Sequence, residues 1–325
     1  MLSNYHKQKN YFPLFILFFF FAQACQKEHE LSEEDFPSKL SAANIFSGTL
    51  SDLAPYSDYI PYELASELFS DYAEKQRLIK LPAGTQMTKI NDVLPIFPEG
   101  TSIVKTFYYW NDKRDASKGK RILESRVLLL KNGSWLYGTY QWNSDQTEAY
   151  LLTSGSDQLV NWVDEDGIPN ATSYRIPNMT ECTTCHQQSM HVKPLGPKLH
   201  NLHLLVNNNG SLINQLTYFQ NIGLMNNFDI STISAIPNYK DSNLTKEQKS
   251  RAYLDANCGH CHNPHGTSND LELDLRYHTP LENTAILGSQ SVLIERLESG
   301  QMPLIGTSVL DRAYVQQITQ YLNSL

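Results

Sequence analysis

The spacing of hydrophobic positions changes character several times along the chain. Residues 14–21 form an unbroken apolar run of eight. Residues 62–80, YELASELFSDYAEKQRLIK, set Leu64, Leu68, Tyr72 and Lys75 at roughly helical spacing and predict a helix. After Leu81-Pro82 the pattern shortens to that of strands. Residues 103–110, 122–130 and 135–142 are β-branched, aromatic or apolar, and 149–152 and 159–163 read as further strands. Asn132-Gly133 is a hairpin signal. Residues 164–167, DEDG, read as a tight turn, since they lack the spaced ligands of a calcium loop. Helical signals return late. Thr245 with Gln248 makes a capping box that opens a helix running to Asn257. Residues 291–299 predict a short helix capped by Ser291 and ended by Gly300, and a last helix starts near Asp311. On that helix Val315, Ile318, Leu322 and Leu325 share one apolar face. The fold class expected is α+β, a β-rich N-terminal sandwich or barrel followed by a mainly α-helical domain.

Composition narrows the function. At 41% hydrophobic and 18% charged residues over 325 positions, collagen-like and wholly disordered classes are excluded. With 26 basic and 34 acidic residues the net charge is −8, and no basic run offers a nucleic-acid footprint. The apolar run at 14–21 is shorter than the ~20 residues of a membrane span. It follows Lys7 and Lys9 and precedes Ala22-Gln23-Ala24-Cys25. The segment resembles a bacterial lipoprotein signal peptide and lipobox. That resemblance implies cleavage before Cys25, lipid attachment there, and a place in the envelope of a diderm bacterium. An outer membrane is favoured over an inner one because Gln26 is not aspartate. Gln26-Lys27-Glu28-His29-Glu30 also resembles a lipoprotein surface-export signal, beside the simpler reading of a charged tether. The polar, Glu-rich residues 26–40 suit a flexible linker.

The other four cysteines carry the chemistry. Cys182-Thr183-Thr184-Cys185-His186 and Cys258-Gly259-His260-Cys261-His262 are both C-x-x-C-H, the spacing of c-type haem attachment. Two thiols three positions apart reach the two vinyl groups of one porphyrin, and the next histidine ligates the iron. A four-cysteine zinc site is the weaker alternative, because zinc ribbons keep their pairs ~15–20 residues apart and need no histidine after each pair. The expected cofactors are therefore two covalent haems held by Cys182, Cys185, His186, Cys258, Cys261 and His262.

In the C-terminal module, 245–325, the order of helix, C-x-x-C-H, short helix, Met302-Pro303 and final helix resembles a small class I cytochrome c. The resemblance implies His262 as proximal and Met302 as distal iron ligand, a pair that raises the potential relative to bis-histidine ligation. Arg276 reads equally as a partner for a haem propionate or as a solvated arginine. The runs RAYLDANCGHCHNPHG, LELDLR and SVLIERLESGQMPLIG, with YELASELFSDYAEKQRLIKLPAG, FPEGTSIVKTFYYW and GSWLYGTYQWNSDQTEAYLL, resemble the two-haem c-type cytochromes of bacterial envelopes that carry a long β-rich N-terminal region. The division implied is 1–24 signal peptide, 25–44 tether, 45–180 β-rich domain, 181–244 first haem-attachment segment and 245–325 cytochrome c domain. FPEGTSIVK also resembles cytochrome P460-type β domains, in which a lysine is bonded to the haem, and Lys105 is the candidate here.

The distal ligand of the first haem stays open between Met225, His200, His203 and none. The function expected is electron transfer between redox partner proteins through the His186- and His262-ligated haems. The alternative is a redox enzyme whose first haem is open to a small molecule such as peroxide or a nitrogen oxide. The cluster Trp110, Trp135, Trp142, Tyr108, Tyr109, Tyr137 and Tyr140 reads as sheet core, or as an aromatic pocket over a haem or ligand.

Overall fold

In the computed structural model the residues described are 32–90, 93–188, 191–268, 271–303 and 306–325, so the segment expected to be a lipoprotein signal, with Cys25, lies outside them. The first sheet is a meander of six antiparallel strands in sequence order. These are β1 (Ile60–Pro61), β2 (Glu74–Lys80), β3 (Ser102–Trp110), β4 (Lys120–Lys131), β5 (Ser134–Trp142) and β6 (Ala149–Leu152). Asn132 and Gly133 both take positive φ, 54° and 72°, which turns β4 back along β5 with the twist that adjacent strands require. β7 (Ser156–Val163) and β8 (Pro169–Ile176) form a separate hairpin. Its Val160, Trp162, Tyr174 and Ile176 pack on Phe107, Tyr109 and Leu123 of β3 and β4. The cross-strand face of Arg77, Lys105, Arg126 and Thr139 is set by register: Arg77 pairs with Lys105, Lys105 with Arg126, and Arg126 with Thr139. Of the aromatic cluster, Tyr109, Tyr140 and Trp142 are buried, while Tyr108, Trp110, Trp135 and Tyr137 are half-buried.

Six α-helices occur among the described residues: α1 (Met179–His186), α2 (Leu199–Leu202), α3 (Gln215–Asn221), α4 (Lys246–Asn257), α5 (Gln290–Glu298) and α6 (Arg312–Leu322). The Thr245 cap of α4 is reciprocal. Gln248 N–H donates to the Thr245 hydroxyl at 3.2 Å, and Thr245 N–H donates to the Gln248 side chain at 3.0 Å. Ser289, rather than Ser291, precedes α5.

The structure corrects the expected fold class. The protein is β-rich, and no separate helical cytochrome c domain forms among the described residues. The six-stranded sheet is open, with β1 and β6 at its edges, and so is not a barrel. The physical reason lies in who supplies the core around the late helices. Tyr253 of α4 stacks on Tyr314 of α6 at 4.8 Å, but their cluster is completed by Ala65, Phe69, Leu204, Ile236 and Tyr239. Helices of 12, 9 and 11 residues do not enclose a core of their own, and Ser32–Leu325 pack as one compact unit.

The helix expected over 62–80 is corrected as well. Its last seven residues are β2, and the rest is an irregular connector in which Asp71 and Tyr72 take positive φ. The backbone groups of the connector find partners far along the chain instead of within a helix. Glu63 N–H donates to Gln215 Oε1 at 2.7 Å, Ser66 N–H to Asn201 Oδ1 at 2.8 Å, and Phe69 N–H to Asn257 Oδ1 at 2.7 Å. The linker expected over 26–40 is ordered in its second half. Phe36 and Leu40 are buried, and the Phe36 ring fills the space over Gly138, where a Cβ would lie only 2.5 Å from it. No helix of the described residues is long and apolar enough to cross a membrane.

Candidate functional site

The first motif occupies α1. Asn178 caps it, accepting from Glu181 N–H at 2.9 Å, while Glu181 accepts from Asn178 N–H at 2.7 Å. Spacing of three on a helix places Cys182 and Cys185 on one side, with His186 following. His186 Nδ1 lies 2.9 Å from the Lys193 carbonyl. A carbonyl can only accept, so Nδ1 carries the proton and Nε2 keeps its lone pair. This is the arrangement by which a backbone carbonyl orients an imidazole whose other nitrogen is left to bind a metal. Burial lowers the pKa of His186 to about 4, with Lys105 and Arg126 among the neighbours that favour the neutral ring.

The second motif begins at the end of α4. Cys258 N–H donates to Leu254 O at 2.8 Å, and Cys261 and His262 N–H both donate to Cys258 O, at 3.1 and 2.9 Å. The motif thus forms a further helical turn. His262 is buried, and its carbonyl accepts from Leu275 N–H at 3.0 Å. Gly266 folds directly against this turn: a Cβ there would lie 2.0 Å from the Cys261 carbonyl oxygen. Burial raises the Cys258 thiol to about 12.

The two motifs, 76 positions apart from Cys182 to Cys258, come together in space. The Cys185 thiol donates to the sulfur of Cys261, which raises the pKa of Cys185 and lowers that of Cys261. His260 and Thr267 also hydrogen-bond to the Cys261 sulfur. The four thiols are free of disulfides.

The sheet supplies the floor beneath α1. Cys182 is buried and hydrogen-bonded to Thr139, and Tyr137 hydroxyl bonds the Thr183 hydroxyl. Lys105 and Arg126 both lie over the Phe107 ring at 4.6 Å. Lys105 thus stands near His186.

The remaining candidates are scattered. Met302 follows α5, is partly buried, and donates its N–H to Arg296 O at 3.2 Å. Met225 is core, buried beside Met87 in the cluster under Ile79, Ile103 and Leu128. His200 lies beside α4, with Nε2 3.9 Å from Asp255 and its ring 5.4 Å from that of His278. His203 Nδ1 donates to Ile233 O at 2.8 Å. Arg276 is held by Asp274 through contacts of 2.8 and 3.1 Å from its Nε. Among the described residues no group of three or more His, Cys, Asp or Glu is arranged to hold a bare metal ion.

The donor chemistry fits covalent haem. Each motif is a helical turn that carries two unbridged thiols followed by an imidazole, and His186 is oriented through its far nitrogen. No family model, no curated protein and no solved structure matches the chain.

Proposed function

We propose that this protein is a two-haem c-type cytochrome that passes electrons between redox partner proteins. The observation that carries the reading is the meeting of the two C-x-x-C-H turns at Cys185 and Cys261. Electron transfer between two centres needs them close, and a fold that joins two motifs so far apart in sequence supplies that closeness. Cys182 and Cys185, and Cys258 and Cys261, would hold the two groups as thioethers, with His186 and His262 as iron ligands and Met302 the expected second ligand at His262. Bound haem would supply a one-electron couple at iron. The chain's own part is to orient His186 Nε2 through Lys193, to bury Cys182 against Thr139, and to keep water from His262.

The test is an optical spectrum of the purified protein, oxidised, reduced and then exposed to carbon monoxide. The expected result is reduced c-type bands with two haems per chain that carbon monoxide leaves unmoved. Absence of haem overturns the reading. A shift in about half of the absorbance would turn it toward the enzyme alternative. Anchoring of the protein to an outer membrane through Cys25 is part of the proposal. Incorporation of labelled palmitate that is lost in Cys25→Ser tests it.

A further inference from the structure

Three adjacent strands contribute one cation each to a single row: Arg77 from β2, Lys105 from β3 and Arg126 from β4. Lys75, two residues before Arg77, lies on the same face. Opposing carboxylates are fewer. Glu67 Oε1 lies 2.8 Å from Arg77 Nη1, and Glu124 pairs with Arg126 at 2.5 Å. Glu63, the other carboxyl close to Arg77, is pushed toward its neutral form by burial. Lys105 has no carboxylate within ion-pair distance among the described residues, and its described contact is the Phe107 ring.

Arg77 poses the sharper problem. Its side chain is 2% exposed, and its Nε and Nη2 have no hydrogen-bond partner among the described residues. Buried guanidinium donors left without an acceptor are costly, and native folds rarely keep them so. A row with more cations than anions in a site shielded from water is costly for the same reason. Burial and the neighbouring cations already push the Lys105 ammonium well below its ordinary value. Both costs fall if an oxyanion sits on the row. A carboxylate or phosphate has the geometry to take two N–H groups of Arg77 and the charge to balance Lys105.

We infer that Arg77, Lys105 and Arg126 form a buried oxyanion site on one face of the sheet. Two sources share this chemistry: a propionate carboxylate of haem attached at the motifs, or a free oxyanion taken from solution. The first rests on the haem reading above; the second does not.

Full-length wild type and Lys105→Met are compared, with covalent haem content measured first by alkaline pyridine absorbance. Thermal unfolding is then followed with inorganic phosphate replacing chloride at constant ionic strength, and the haem midpoint potentials are titrated. A free oxyanion raises the unfolding midpoint of wild type in phosphate and leaves Lys105→Met unmoved. A propionate leaves both proteins indifferent to phosphate, but the potential of one haem falls in Lys105→Met and returns in Lys105→Arg, with haem content unchanged. The inference is overturned if wild type and Lys105→Met match in phosphate response and in both potentials. If wild type holds no haem, the haem reading fails by itself. The phosphate comparison then decides the site alone, a difference supporting it and identity overturning it. Lys105→Gln replaces Lys105→Met if the latter does not accumulate.

Discussion

The thiol of Cys185, at the end of α1, donates a hydrogen bond to the sulfur of Cys261 in the second motif. In the haem-free chain this contact has a chemical consequence. The hydrogen bond from Cys185 holds Cys261 toward the thiolate, the form that attacks a disulfide. With an added disulfide reagent as oxidant, Cys261 and Cys185 are expected to lose two protons and two electrons and close a bridge between the motifs. Tryptic peptides 176–198 and 252–276 would then migrate as one species without reductant and separate with it. Bridges confined to Cys182–Cys185 and Cys258–Cys261 would contradict the contact.

Gly266 tests the second motif alone. Its missing side chain leaves room for the Cys261 carbonyl, and a methyl group there would overlap it. Gly266→Ala is expected to displace the turn that carries Cys261 and His262 and to halve covalent haem, leaving the first motif loaded. Gly288→Ala, where a Cβ meets nothing within 4 Å, serves as the control. Equal haem content in the two variants would refute the argument.

Asn201 tests the connector. Its Oδ1 accepts from Ser66 N–H at 2.8 Å and its Nδ2 donates to Ser66 O at 2.9 Å, both in buried surroundings. Asn201→Leu strands two backbone groups, and at ~1–3 kcal/mol for each it should cost roughly 2–6 kcal/mol. Urea denaturation measures this directly, and a loss under about 0.5 kcal/mol, the range of an ordinary surface change, would show that the pair is not what orders the connector.

Glu67 sets an acid dependence. Burial pushes its carboxyl up, but Arg77, Lys75 and Lys240 more than reverse this and leave it at about 2, below its ordinary 4.5. The unfolded chain therefore binds the proton first as pH falls. The stability from this group is present above about pH 4.5 and is lost progressively down to about pH 2. Wild type should show a falling unfolding midpoint across that window, and Glu67→Gln a flatter one. Parallel curves would remove Glu67 as the cause.

Local signals in the sequence were sufficient for much of the fold. The runs that became β3, β4, β5 and β6 were legible because β-branched and aromatic residues and the Asn132-Gly133 turn act over a few positions. The cap of α4 was legible for the same reason. β8 was missed although Thr172, Tyr174 and Ile176 alternate in burial as a strand should. The connector was not legible, because its helical spacing is a local property while Gln215, Asn201 and Asn257 bind it from far downstream. The helical C-terminal domain was overread for a related reason: the apolar faces of α4 and α6 were visible, but their partners Ala65 and Phe69 lie in that connector. Both motifs were plain in the sequence. Their meeting was not, nor was the row of Arg77, Lys105 and Arg126, which exists only once the strand register is known.

The connector also bears on the order of assembly. Successive strands of the meander pair with near neighbours and can zip as they become available. The connector closes over much longer spans: Ser66 waits for Asn201, 135 positions on, Phe69 for Asn257, 188 positions on, and Asp71 for Ser308, 237 positions on. During synthesis the sheet can therefore form with its own entrance still unlatched. The latch engages last, when the final stretch of chain arrives, so the late helices act as the closing step of the β region.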